Sequence, residues 1–270
     1  MKKNKLPGVY LLPNLVTSGA LFCGFYSIII AISGNYIIDA IYILFAMILD
    51  GLDGRVARMT NTQTTFGEYF DSLSDMLCFG VAPALLIYLS SLSMFTSGYL
   101  AKVSYIACFI YIASTAIRLA RFNSRNQTTD KKYFMGLASP AAAAILICYV
   151  WLMEDLGVDK SLYIALTVIL IVILSILMIS NIAYVSFKDI NFRQKIPYVM
   201  LFAISLAISF VSFDPPKVLF IFFLFYGLSG PGLFLIRRIR RSRLSDTDLS
   251  SKKISKLINF NIFSLIPAIS

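Results

Sequence analysis

Apolar residues form long runs along this chain, and short polar segments separate the runs. The runs cover approximately 15–33, 37–57, 67–90, 99–120, 136–153, 161–182, 196–213 and 217–236. A helix needs about 20 mostly apolar residues to cross the hydrocarbon core of a bilayer. The pattern therefore predicts an all-α, polytopic transmembrane helical bundle with about eight spans.

The composition supports a membrane protein. The 270 residues are 58% hydrophobic and 14% charged, whereas soluble domains have about 25% charged and about 45–50% apolar residues. The four cysteines lie singly within apolar runs, and the chain has no histidine. A cysteine-paired zinc motif and a histidine base are therefore excluded. Polar chemistry in this chain must use carboxylates, hydroxyls or amines.

The net charge of +10 is distributed unevenly among the connectors. The connectors 33–36, 91–98, 154–160 and 212–217 contain only two basic residues, Lys160 and Lys217. The other connectors and the C-terminal segment hold most of the lysines and arginines. Positive charge concentrates on the cytoplasmic side of membrane proteins, so this asymmetry predicts that both termini are cytoplasmic. We expect these cations to face anionic lipid headgroups and not nucleic acid. The predicted organisation is a transmembrane domain over 1–240 and a basic tail over 241–270.

Two pairs of aspartates stand near the end of the second predicted span and in the third. Asp50 and Asp53 are three residues apart, and Asp71 and Asp75 are four apart, so each pair shares one helix face. A short connector should make the two helices antiparallel and bring the pairs together. Charged groups within spans are costly and usually functional. Divalent cations or protonation of some carboxyl groups would relieve the repulsion, and oxygen ligands favour Mg²⁺, Mn²⁺ or Ca²⁺.

The simplest alternative is a solvated helix end, at which the aspartates pair with Arg55, Arg58 and nearby lysines. Against it, Gly54 lies on the face of the first aspartate pair and would allow a ligand to approach the backbone. Arg58, one helical turn further, is suited to hold a phosphate or a nucleotide. The combined spacing favours a metal site. Asp39, near the outer end of the same span, is interpreted as a solvated or anchoring residue.

The spacing resembles the signature of the CDP-alcohol phosphatidyltransferases, and every fixed position is present: Asp50-x2-Asp53-Gly54-x2-Ala57-Arg58-x8-Gly67-x3-Asp71-x3-Asp75. The segment 12–17 also resembles the part of that family that precedes its first span. The resemblance implies an enzyme of the inner membrane with its active site at the cytoplasmic face. It also implies transfer of a phosphatidyl group from CDP-diacylglycerol to an alcohol, release of CMP, and a homodimer.

The same resemblance implies roles for individual residues. Two Mg²⁺ or Mn²⁺ ions would be bound, one by Asp50, Asp53 and Asp71, the other by Asp50, Asp71 and Asp75. Asp75 would also be the general base that takes the proton of the acceptor hydroxyl. The CDP-lipid would be bound by Asn14, Thr17, Gly54, Arg58 and Thr64.

The acceptor alcohol is a finer question. The segments 21–25, 118–123 and 136–142 resemble those of the phosphatidylserine synthase branch, which favours L-serine. The residues expected to bind it are Arg118, Arg121 and Ser139. Interfacial anchoring by the arginines and a simple helix start at Ser139-Pro140 are the alternatives. Glycerol 3-phosphate and inositol phosphate stay open as acceptors, although their extra phosphate would favour a denser cationic pocket.

Two other classes of protein also place aspartates on membrane helices. A membrane prenyltransferase usually has two Asp-rich motifs in distant loops, whereas these four aspartates fall within one helical hairpin. A divalent-cation transporter would have carboxylates near the bilayer midplane, often on broken helices. Here they lie near the inner end of their spans, beside arginines that would repel a permeating cation. Both alternatives fit the sequence less well.

Overall fold

The computed structural model describes residues 11–60, 62–94, 99–125, 133–157, 160–185 and 198–236, and these form a helical bundle. The helices are α1 (Leu11–Ile32), α2 (Tyr36–Thr60), α3 (Thr65–Asp75), α4 (Ala82–Ser90), α5 (Tyr99–Arg125), α6 (Ser139–Leu156), α7 (Lys160–Ile179), α8 (Tyr198–Phe213) and α9 (Pro215–Ile236). A π-helical turn (Met76–Val81) joins α3 to α4, and a short 3-10 turn (Leu92–Met94) follows. Each predicted span corresponds to one helical stretch, with α3, the π turn and α4 forming the third. The all-α, polytopic prediction is confirmed.

Five of the described helices are long and apolar enough to cross a membrane. They are α1, the stretch from Thr65 to Ser90, most of α5, α6 and α9. α8 is only 16 residues long, and the apolar part of α7 runs over Tyr163–Ile179. Large apolar side chains are exposed along most of these helices, as expected for faces that contact lipid. The protein is an integral membrane protein. The orientation of its termini stays a prediction, and the 241–270 tail lies outside the described residues.

Helix α6 lies at the centre of the bundle. All its residues from Ala141 to Val150 are buried, and it packs against α2, α4, α7 and the π turn. Four consecutive alanines near its start let neighbouring backbones approach closely. Helix α1 packs along α2 and also touches α3, the π turn and α4. Helix α1 therefore lies against one side of the hairpin that α2 and α3 form.

Asp39 lies in the first turn of α2 and is completely buried, with 0% of its surface exposed. It lies beside Ser27 of α1. The interpretation of Asp39 as a solvated residue is therefore wrong. Asp39 lies near the end of an apolar run, and this position suggested contact with water. In the structure, α1 and α2 are still packed against each other at this level, and they bury the side chain.

A two-stranded antiparallel pairing joins the segment before α6 to the segment after α7. Strand β1 (Tyr133–Met135) pairs with β2 (Ala183–Val185), with Phe134 opposite Tyr184. Gly136 follows β1 with a φ of +83°, and a side chain there would overlap the carbonyl oxygen of Met178. Glycine is therefore required where the chain turns into α6.

Candidate active site

The two aspartate pairs meet between the C-terminal half of α2 and the C-terminal half of α3. One carboxylate oxygen from each of Asp50, Asp53 and Asp71 lies within 4.8 Å of the others. Asp53 is buried, with 4% of its surface exposed, and the other two are half-buried. The hairpin is fixed at the start of α3 by Thr64, whose hydroxyl accepts a hydrogen bond of 3.0 Å from the Gly67 N–H. This N-cap satisfies one of the free N–H groups of the helix and sets where α3 begins.

Asp75 joins the same cluster from the last position of α3. Its carboxyl group is hydrogen-bonded to Asp50, and it also lies close to Asp71 and to Arg118 of α5. The four aspartates that the sequence pattern predicts to converge are therefore together. Asp75 lies on the side of the cluster that faces α5.

The cluster has the composition of a site for a hard divalent cation. All its donors are carboxylate oxygens, which suit Mg²⁺ or Mn²⁺. Several carboxylates in such proximity would repel each other without a cation or a proton between them. Among the described residues, Asp50, Asp53 and Asp71 form the group of acidic side chains that could hold a metal ion. The residues present thus fit a divalent metal, and the identity of the ion stays a prediction.

Two residues of α1 reach the hairpin in different ways. The Thr17 hydroxyl lies 2.5 Å from Oδ2 of Asp53, and Thr17 is buried. Asn14, one turn earlier, lies at the start of α3: a Cβ on Gly67 would be 3.3 Å from its Oδ1 and 3.2 Å from Oγ1 of Thr64. Asn14 and Thr64 therefore meet at Gly67, whereas Thr17 contacts a predicted metal ligand.

The surface of α2 beside the cluster is open. Gly54 is exposed, and no atom lies within 4 Å of the position that a Cβ would take there. Arg58 is also exposed. A large ligand could therefore approach the backbone next to Asp50 and Asp53. The predicted CDP-lipid residues lie along this face of the hairpin and at its junction with α1.

Arg118 forms a second polar centre next to the aspartates. Its Nη1 donates a hydrogen bond of 2.5 Å to Oγ of Ser139, which is completely buried. The guanidinium group also lies near Asp75, near Tyr111 of α5 and near Tyr226 of α9. Ser139 is the first residue of α6, and Pro140 lies in the first turn. Ser139 therefore starts a helix and also contacts Arg118.

Sequence reasoning missed Tyr226 and Asn123. Tyr226 lies in an apolar run, where a tyrosine carries no signal that separates a site residue from a packing residue. Asn123 donates a hydrogen bond of 3.1 Å to the hydroxyl of Ser72, which follows Asp71. It therefore ties the C-terminal end of α5 to the aspartate-bearing helix α3. Its place two residues before the end of α5 was the available hint, since polar residues there can reach the neighbouring helix.

Arg121 has a different environment from Arg118, although both lie on α5. Its guanidinium donates hydrogen bonds to the carbonyl oxygens of Met135 at 2.8 Å and Ile179 at 2.9 Å, and to the side chain of Asn181 at 3.2 Å. These acceptors lie at the end of β1 and at the C-terminal end of α7, where carbonyl groups lack helical partners. Arg121 therefore holds the end of β1 to the end of α7, and its role in binding the acceptor stays a prediction.

Comparison with known proteins identifies the family. The family model described as CDP-alcohol phosphatidyltransferase matches residues 10–178, from α1 almost to the end of α7, and this range includes the whole aspartate cluster. The chain belongs to the CDP-alcohol phosphatidyltransferase family. Membership in this family confirms the resemblance seen in the sequence and argues against a prenyltransferase or a cation transporter.

Curated members of the CDP-alcohol phosphatidyltransferase family show extensive similarity to the chain. A CDP-diacylglycerol–serine O-phosphatidyltransferase of Helicobacter pylori is 38% identical over 228 residues, which cover 82% of this chain and 90% of the relative. A protein with the same name from Methanocaldococcus jannaschii is 34% identical over 63% of this chain and 71% of its own length. An archaetidylserine synthase of Methanothermobacter thermautotrophicus is 34% identical over 68% of this chain and 73% of its own length.

Proposed function

We propose that this protein transfers a phosphatidyl group from CDP-diacylglycerol to the hydroxyl of L-serine, releasing CMP and forming phosphatidylserine. The observation that carries the proposal is the convergence of Asp50, Asp53 and Asp71 within 4.8 Å, with Asp75 next to this cluster and to the half-buried Arg118. The names of the relatives support serine as the acceptor. They differ in the lipid that they name, but each of the three names contains serine.

The aspartates are proposed to hold two ions of Mg²⁺ or Mn²⁺. Asp50, Asp53 and Asp71 would bind one, and Asp50, Asp71 and Asp75 the other. Bound ions would neutralise the charge of the diphosphate and stabilise the phosphate of the departing CMP. Asn14, Gly54, Arg58 and Thr64 are proposed to bind the CDP-lipid along the open face of α2 and the start of α3. Thr17 belongs to the set that family resemblance assigns to this ligand.

Asp75 is proposed as the general base. It takes the proton of the serine hydroxyl while the hydroxyl oxygen attacks the phosphorus on the lipid side of the diphosphate. The bond between that phosphorus and the bridging oxygen breaks, and CMP leaves with the bridging oxygen. A carboxylate suits this role because the chain has no histidine.

Arg118 is proposed to bind the carboxylate of serine. An arginine forms strong, directional hydrogen bonds with a carboxylate, and burial strengthens them. The hydrogen bond to Ser139 fixes the guanidinium beside Asp75. Arg121 and Ser139 are the other residues predicted to bind the acceptor. Arg121 would contribute indirectly, by holding the backbone carbonyl groups at the ends of β1 and α7. A single cation beside Asp75 suits a carboxylate better than it suits glycerol 3-phosphate or inositol phosphate.

The proposed location is the inner membrane, with the active site at the cytoplasmic face. The concentration of basic residues in alternate connectors supports this orientation. A homodimer stays a prediction from family resemblance.

The test is an assay of CMP release by the purified enzyme with CDP-diacylglycerol and Mn²⁺ or Mg²⁺. Serine, glycerol 3-phosphate and inositol phosphate are added in separate reactions. We expect release that depends on serine and is abolished by EDTA. Asp71→Asn should abolish it, whereas Glu68→Gln, an exposed carboxylate on the same helix, should not. Release with another alcohol instead of serine would reject only the assignment of serine as the acceptor. If the folded protein releases no CMP in a metal-dependent way with any of these alcohols, the proposed function is rejected.

A further inference from the structure

A short polar contact of α1 with the aspartate cluster joins Thr17 to Asp53. Oγ1 of Thr17 lies 2.5 Å from Oδ2 of Asp53 and 3.1 Å from the carbonyl oxygen of Pro13. A hydroxyl has one proton to donate, and the contact with the Asp53 oxygen is the shorter of the two. The proton is therefore directed to Asp53, and the contact with Pro13, four residues earlier on the helix, is the weaker alternative.

Thr17 also contacts the second aspartate-bearing helix. The Ser74 hydroxyl, adjacent in sequence to Asp75, lies 3.5 Å from the carbonyl oxygen of Thr17. Thr17, Asp53 and Ser74 are all buried, with exposed fractions of 4%, 4% and 3%. One residue of α1 therefore touches α2 through its side chain and α3 through its backbone. A ligand that stays on the open face of the hairpin has little access to this hydroxyl.

We propose that Thr17 is a positioning residue for the divalent metal site. Its hydroxyl holds one oxygen of Asp53 and so orients the carboxylate toward Asp50 and Asp71. The inference rests on the proposed function, and it assigns Thr17 to the metal site and not to the nucleotide, the role that family resemblance implies. Partners that orient a metal ligand in this way typically contribute 10- to 100-fold to metal affinity.

The experiment measures Mn²⁺ binding directly, without lipid or serine, from the electron paramagnetic resonance signal of free Mn²⁺. Thr17→Val keeps the shape of the side chain and removes the hydroxyl, whereas Thr17→Ser keeps the hydroxyl. Ser18→Ala is the matched control, because Ser18 is exposed and its hydroxyl bonds to the Asn14 carbonyl. We expect Thr17→Val to raise the Kd for Mn²⁺ about tenfold or more. Thr17→Ser and Ser18→Ala should leave it unchanged.

Kinetics separate this role from a nucleotide contact. For Thr17→Val, excess Mn²⁺ should restore turnover, and the KM for CDP-diacylglycerol at saturating Mn²⁺ should equal that of the wild type. An unchanged Kd for Mn²⁺ in folded Thr17→Val protein, with or without a raised KM for the lipid, would overturn the inference. If Thr17→Val does not fold, Thr17→Ala makes the same comparison. A wild-type protein that binds no Mn²⁺ would overturn the proposed metal mechanism as well, so the two failures are distinguishable.

Discussion

Arg118 on α5 and the buried Ser139 at the start of α6 are joined by a hydrogen bond of 2.5 Å, and the Arg118 guanidinium also lies near Asp75. The pair connects the central helix of the bundle to the aspartate cluster. A cation held in this way has a defined direction, which a flexible surface arginine lacks. The geometry therefore holds the guanidinium group that we propose to bind the carboxylate next to the proposed base.

Asp75→Asn should abolish turnover while it largely preserves binding of the CDP-lipid. The amide cannot accept the serine proton, and loss of a general base typically lowers the rate by about 10²- to 10⁴-fold. Asp50, Asp53 and Asp71 remain to bind metal. Turnover is measured as CMP release, and binding with a non-reactive CDP-lipid analogue. Equal loss of lipid binding in Asp75→Asn and Asp50→Ala would contradict this division of roles.

Arg118→Lys should raise the KM for serine by about 10- to 100-fold, because a bond to a charged group contributes about 1.5–3 kcal/mol. Lysine keeps the charge but cannot form the planar pair of hydrogen bonds. The KM for CDP-diacylglycerol should stay the same. Arg58→Lys is the matched comparison, and it should change the lipid KM and not the serine KM. If Arg118→Lys changed the lipid KM and Arg58→Lys changed the serine KM, Arg118 would be rejected as the carboxylate-binding residue.

Arg121→Met should lower stability and leave substrate affinity intact. It removes hydrogen bonds to the carbonyl groups of Met135 and Ile179. Hydrogen bonds to exposed carbonyl groups such as these contribute about 0.5–1.5 kcal/mol each. Thermal unfolding can be followed with a thiol-reactive dye, because all four cysteines are buried and unpaired. A normal unfolding temperature combined with a raised serine KM would show that Arg121 binds the acceptor.

Gly24→Ala should destabilise the protein, because the new methyl group would overlap Sγ of Cys78 in the π turn. Overpacking of this kind costs about 1–3 kcal/mol. Cys78→Ala removes the sulfur and should recover part of the loss in the double variant. Gly19→Ala is the control on the same helix, since its methyl group would be 3.5 Å from Leu49, an ordinary contact. Equal unfolding temperatures for Gly24→Ala and Gly19→Ala, or a double variant with fully additive losses, would contradict the proposed packing.

The sequence predicted the helical spans and the convergence of the aspartates because both depend on local spacing. An apolar run of sufficient length forms a helix in a bilayer, where backbone groups have no water to bond. Asp50 and Asp53 share a face by helical periodicity, and the short connector before α3 brings Asp71 and Asp75 to them. The family signature lies entirely within this local unit.

Tertiary structure alone distinguished Arg118 from Arg121. The two arginines are three residues apart on one helix, so their sequence environments are nearly the same. The first meets Ser139 and Asp75, while the second meets the end of α7. The same reason explains why the burial of Asp39 and the contact between Thr17 and Asp53 could not be derived from the sequence. Periodicity fixes which face of a helix a residue occupies, but the neighbour on that face depends on how distant helices pack.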